Sequence, residues 1–127
     1  MAHIKEKELD KASRYLFLTM ALTVIKQDRH HIINGNYKIK EPYLELIGKM
    51  EMVAREERRH LRKFMDDHHV QVVETSRHES FTTFSFIAEG YEEKRNYFNP
   101  AIRKKVELIL QELMEKALRR TNASLEK

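Results

Sequence analysis

The stretch from Tyr43 to His68 constrains this chain more than any other. Its apolar residues fall at Tyr43, Ile47, Met50, Ala54, Leu61 and Phe64, in steps of four and three, and the place between Ala54 and Leu61 is taken by Glu57. A helix of about 3.6 residues per turn gathers these positions onto one stripe. Such a stripe demands partner elements to bury it, and a carboxylate in its middle demands a counter-charge or a use. His60 stands nearly one turn beyond Glu57, so the pair reads Glu-x-x-His, a spacing that lets a carboxylate and an imidazole share a helix face.

The flanking sequence supplies the partners. A first helix is expected from the charged opening to about Ile33, where Asn34-Gly35-Asn36 offers residues that tolerate a left-handed stop. Leu9, Ala12, Leu16, Thr19 and Thr23 form one row of it, and Leu18, Leu22 and Ile25 the next. Between Tyr15 and Ile25 almost every side is apolar, which places this helix centrally or at an interface between chains. Tyr37 to Glu41 reads as an extended connector, and Pro42 suits the first turn of the second helix, which ends near Asp67 or His69. Asn99-Pro100 is the sharpest boundary, with Asn suited to capping free N–H groups and Pro to the first helical position. The last helix starts there, buries Ile102, Val106, Ile109, Leu110, Leu113, Ala117 and Leu118, and ends near Thr121-Asn122.

The segment between these helices admits two readings. Val70, Val72 and Val73 are β-branched, and Val70 to Thr75 against Phe81 to Phe86 would make a short β-hairpin turning at Ser76 to Glu79. The alternative is a helix from about Thr82 with Phe84, Ile87, Tyr91 and Phe98 on one stripe, and the periodicity favours it. The expected fold is therefore mainly α: an antiparallel bundle of three to four helices forming a single domain over residues 1–127, with a possible short hairpin between the second and third helices.

Composition narrows the function classes. Cysteine is absent, which excludes disulfides, thiolate metal sites and cysteine nucleophiles and fits a reducing, cytoplasmic setting. The opening carries no export signal, and the longest apolar run, Tyr15 to Ile25, is about half of the ~20 residues a bilayer span requires. Charged residues make up 35% of the chain, yet the net charge is only +4 because acids and bases interleave, as in Glu56-Glu57-Arg58-Arg59. Nucleic-acid binders gather their cations, so a nucleic-acid partner is disfavoured.

Glu57 and His60 are the candidate metal ligands, because carboxylate-bridged metal bundles use Glu-x-x-His pairs with further glutamates from other helices. Asp28-x-x-His31 is a looser second pair. About a plain hairpin, however, it lies offset from Glu57 by about 12 Å along the axis. The competing reading is that Glu57 is neutralised by an arginine or accepts a hydroxyl such as that of Tyr15. The doublets His30-His31 and His68-His69 invite a metal or pH-switch reading, His3 and His78 less so, but neighbours on a helix diverge by about 100° and imidazoles at helix ends commonly meet the last carbonyls. Arg55, Arg58, Arg59, Arg62 and Lys63 could grip phosphates, with Arg55, Arg59 and Arg62 or Lys63 sharing a face diluted by acids. Tyr91, Tyr97 and Phe98 gather before the last helix as a corner cluster or a docking patch. No phosphate loop, nucleophile elbow or catalytic triad is legible, so no catalytic residue and no cofactor is assigned.

In the segments YLFLTMALTVIKQDR, KEPYLEL and GYEEKRNYFNPAI the chain resembles small uncharacterised proteins of Bacillus-type bacteria. The likeness covers most of the chain and rests on aromatic, Gly and Pro placement, so it implies a cytoplasmic bacterial protein and carries no active site across. The expectation is a non-catalytic helical protein that acts through protein contacts, as a homodimer through its first or second helix. The alternatives are a metal-binding ferritin-like bundle and a small nucleic-acid-binding regulator.

Overall fold

The computed structural model of the chain describes residues 4–125, with side-chain surroundings for residues 4–121. The order of elements is α1 (Glu6–Asn34), α2 (Glu41–Asp67), β1 (Val70–Arg77), β2 (Phe81–Ala88), β3 (Tyr91–Phe98) and α3 (Asn99–Leu125). The three helices lie close to their expected bounds, with Pro42 in the first turn of α2.

The mainly α bundle is overturned between α2 and α3. An antiparallel sheet of order β1-β2-β3 stands there, and the helix expected from Thr82 does not form. The hairpin alternative was the better reading of β1 and β2, but it fell short: the pairing runs from Val70↔Ala88 to Arg77↔Thr82, and β3 adds a third strand from Phe81↔Phe98 to Ala88↔Tyr91. The reason lies in side-chain alternation. Thr82, Phe84, Phe86 and Ala88 are all buried, and a period of two suits their β-branched and aromatic content, while Tyr91 and Phe98, which the helical stripe counted as buried with Phe84 and Ile87, lie about half exposed in β3. Glu89 and Gly90 turn β2 into β3 with φ of 51° and 85°, the left-handed pair a two-residue hairpin turn needs.

The sheet's edges are protected in different ways. A bulge between Glu74 and Ser76 interrupts β1, and β3 carries Glu92, Glu93, Lys94 and Arg95 in sequence. Both devices discourage pairing with a further strand.

Two apolar clusters hold the domain together. One joins the helices through residues such as Leu18, Leu22, Ala54, Ile109 and Leu113. The other joins the start of α1 and the end of α2 to the sheet through Leu9, Ala12, Met65, Val70, Phe84 and Phe86. Helix α1 enters both, which agrees with its nearly all-round apolar stretch. Tyr97 bridges them, its ring edge-on to Phe17 at 5.4 Å and to Phe84 at 5.8 Å between centroids. Among the described residues no helix is long and apolar enough to cross a membrane.

Two boundaries form where expected but by other means. Gly35, after α1, has extended backbone at φ −84° and ψ 172°, not left-handed. Its lack of a side chain serves close approach, since a Cβ would stand 2.6 Å from the Tyr37 ring and 2.8 Å from the His31 carbonyl. The last carbonyls of α1 are met by Asn34 Nδ2 on His30 and by Lys40 Nζ on Ile33. At the start of α3, the Asn99 side chain is spent across the loop: its amide donates to the carbonyls of His78 and Glu79, and its Oδ1 accepts from Thr82 Oγ1 at 2.7 Å. The residue that opens the helix thus also fastens the β1–β2 turn.

Candidate functional site

Glu57 sits halfway along α2, where its stripe faces α1 and α3. Arg14, two turns into α1, meets it side-on: Nε donates to Oε2 at 2.6 Å and Nη2 to Oε1 at 3.1 Å. The same guanidinium reaches Glu112 of α3 at 3.0 Å, and Lys116, one turn further along α3, lies 3.8 Å from Glu57. One clasp therefore ties all three helices. Burial raises the Glu57 carboxyl's affinity for a proton, but the Arg14 hydrogen bonds and charge, with Lys116 and Lys11, outweigh it and hold the group below the ordinary carboxylate value. The Glu57 hydrogen bond, against the cost of burial, raises the Arg14 guanidinium in turn.

Of the two fates expected for Glu57 as a structural group, an arginine rather than a tyrosine hydroxyl is the one found. His60 is exposed at the mouth of a groove between α1 and α2, lined also by Lys7, Lys11, Arg14 and Glu57. Asp28 lies elsewhere, on the rim of a separate groove beside Tyr43 and Met114. Glu6 and Asp10 line the same groove as His60, but among the described residues no three His, Asp or Glu side chains come together closely enough to hold a metal ion.

The histidine doublets do not converge either. His68 stacks on Phe64 at 3.9 Å between ring centroids, and its Nδ1 lies 2.8 Å from the Phe64 carbonyl, the helix-end contact expected of it. His69 adopts φ 55° where the chain leaves α2, and His30 lies against Asn34. His78 is in the β1–β2 turn, its backbone N–H donating to Phe81. His3 lies outside the described residues.

The basic set of α2 divides differently from the sequence reading. Arg55 leans on Glu51 and Lys63 on Asp67, both within the helix. Arg58 and Arg62 turn instead to α1, where Arg58 Nη2 and Arg62 Nη1 donate to the Tyr15 hydroxyl at 2.8 and 3.1 Å. Arg58 Nε also donates to Thr19 Oγ1 at 3.0 Å, and its guanidinium lies 4.8 Å from the centre of the Tyr15 ring. The sequence reading missed this cluster because it grouped Arg55, Arg59 and Arg62 or Lys63 on one face and left Arg58 off it. The signal was the i, i+4 spacing of Tyr15 and Thr19 opposite the i, i+4 spacing of Arg58 and Arg62.

A second feature lies towards the α1–α2 turn. There Ile32, Tyr43, Ile47, Leu110 and Met114 line an open groove of about 290 Å³, almost wholly apolar. Tyr43 and Leu118, each in a stripe read as buried, are 50 and 47% exposed, and Met114 beside them is 43% exposed. The corner aromatics before α3 split: Tyr97 packs inside, while Phe98 pairs with Phe81 at 5.5 Å with both rings half exposed.

An α-helical hairpin, a three-stranded meander and a closing helix, locked by a central Arg–Glu clasp, define a small α+β domain with its polar centre devoted to holding helices together. The chain belongs to the YhjD protein family, whose model matches residues 3–118. It is 36% identical over 110 residues to the "Uncharacterized protein YhjD" of Bacillus subtilis (strain 168), covering 87% of this chain and 92% of that protein. The Bacillus-type resemblance read from the sequence is thereby established. No solved structure matches the chain.

Proposed function

We propose that the protein is a non-catalytic cytoplasmic module that works through protein contact, and that it self-associates through the groove between α2 and α3. The observation that carries this reading is the uncovered apolar lining around Tyr43, Ile47, Leu110 and Met114, continued by Leu118 one turn along α3. Contiguous apolar surface of this kind marks interaction sites. A two-fold contact in which one patch meets itself buries such a lining on both copies at once, and Asp28 is the one charged residue that lines the groove. Glu57 is already engaged by Arg14, as Glu51 earlier on α2 is by Arg29 of α1, which supports a structural rather than a chemical role for it.

Light scattering of the purified chain tests the reading. A mass near twice 15.3 kDa is expected, falling to the monomer in Met114→Glu with helical content unchanged. A monomer at about 100 μM, some hundredfold above a micromolar dissociation constant, would refute self-association.

A further inference from the structure

The contact between α1 and α2 at Tyr15 is unusual in its charges. Two guanidiniums reach one phenol oxygen, at 2.8 and 3.1 Å, and among the described residues no carboxylate lies within salt-bridge distance of Arg58. Arg62 has only Asp66, at 3.7 Å, and that acid is 69% exposed and free to swing away. Like charges brought this close repel, and a neutral hydroxyl does not compensate them. The Tyr15 oxygen accepts from both arginines, so its own hydrogen remains to donate, and no acceptor for it stands among the described residues. Three sets of donors thus converge beside a single exposed carboxylate, that of Asp66, which offsets only one of the two cations.

Beside this point opens a hollow of about 300 Å³. Tyr15, Arg62 and Asp66 line its rim, with Met65, Val70 and Val72 among its apolar walls. We propose that Tyr15, Arg58 and Arg62 bind the phosphoryl group of a small phosphomonoester whose organic body rests in the hollow against Met65, Val70 and Val72. A phosphomonoester carries a charge of about −1.5 to −2 near neutral pH and three acceptor oxygens, which match two guanidiniums and a phenol. A carboxylate balances only one of the two cations. This site is separate from the apolar groove between α2 and α3, and its test does not depend on that groove.

The probes are inorganic phosphate, phenyl phosphate and benzoate, titrated into the full chain at constant ionic strength and followed through the Arg Nε–Hε NMR signals. Saturable shifts of Arg58 and Arg62 are expected, with phenyl phosphate binding several-fold more tightly than inorganic phosphate and benzoate more weakly than either. Tyr15→Phe keeps the ring and removes the hydroxyl, and Arg62→Gln alters a side chain that is 60% exposed, so both variants keep the fold. Each is expected to weaken phenyl phosphate by about tenfold, the loss of one charge-assisted contact. Arg103→Gln removes a charge lining a different hollow, with Arg77 and Asn99, and is expected to change nothing. Equal weakening by Arg103→Gln would reduce the effect to diffuse attraction and overturn the site. So would unchanged binding in Tyr15→Phe, the absence of saturation below about 10 mM, or benzoate binding as well as phenyl phosphate. Equal affinity for inorganic and phenyl phosphate would overturn the role given to the hollow.

Discussion

At the scale of single residues, the physics is dominated by whether a polar group inside the domain has a partner. Glu57 and Arg14 are each only 26% exposed in their side chains, so either one alone would be a poorly solvated charge. Arg14→Gln is expected to lower unfolding stability by about 1–2 kcal/mol, allowing for the solvent that still reaches the pair. The folded carboxyl of Glu57 lies below its ordinary value near 4.5, so its contribution is complete above that pH and is lost as pH falls through the lowered value. Denaturant unfolding as a function of pH should therefore show an acid limb that Glu57→Gln flattens. Ser85 is the opposite case. Its hydroxyl is buried, flanked across the sheet by Val73 and Lys94, and has no hydrogen-bond partner among the described residues. Ser85→Ala is expected to raise stability by about 0.5–1 kcal/mol, because it removes an unpaid desolvation cost without opening a large cavity. The acid at position 57 was legible in the sequence as a group needing a partner, but Arg14, forty-three positions away, was not, since only the packing of α1 on α2 brings them together.

At the scale of elements, local chemistry set the helices and tertiary partners set the strands. The helix boundaries at Asn34, Pro42 and Asn99 could be placed from residue types alone, because breaks in periodicity and the fixed φ of proline act within a turn. The meander could not, because YEEKRNYF in β3 has no apolar alternation of its own and becomes a strand only by pairing with β2. The Glu89-Gly90 turn makes that pairing possible. Glu89 holds φ 51°, a conformation more comfortable for Asn. Glu89→Asn is thus expected to stabilise the chain by about 0.5 kcal/mol, and Gly90→Val, at φ 85°, to destabilise it by at least about 1 kcal/mol; thermal melts read both. At the other end, Gly35→Ala drives a methyl into the His31 carbonyl and the Tyr37 ring, and a loss of stability of about 1–2 kcal/mol is expected.

At the scale of the whole molecule, α1 organises the domain by serving both apolar clusters, and α3 closes the helical one. Leu113 is fully buried on α3, so Leu113→Ala is expected to cost about 2–5 kcal/mol in chemical denaturation and to loosen α3 first. The same closure leaves the α2–α3 groove open, and the self-association proposed there belongs to the entire fold and is what light scattering tests. The sequence by itself determined the three long helices, their apolar stripes, the isolated acid of α2 and the family resemblance, because periodicity, capping and composition act over a few residues. Tertiary structure alone decided that the hairpin prevails over the helix and gains β3 as a third strand, that Arg14 rather than Tyr15 meets Glu57, and that Tyr15 draws in Arg58 and Arg62. Each of these depends on groups distant in the chain being brought within hydrogen-bond or van der Waals reach, and no local pattern specifies that.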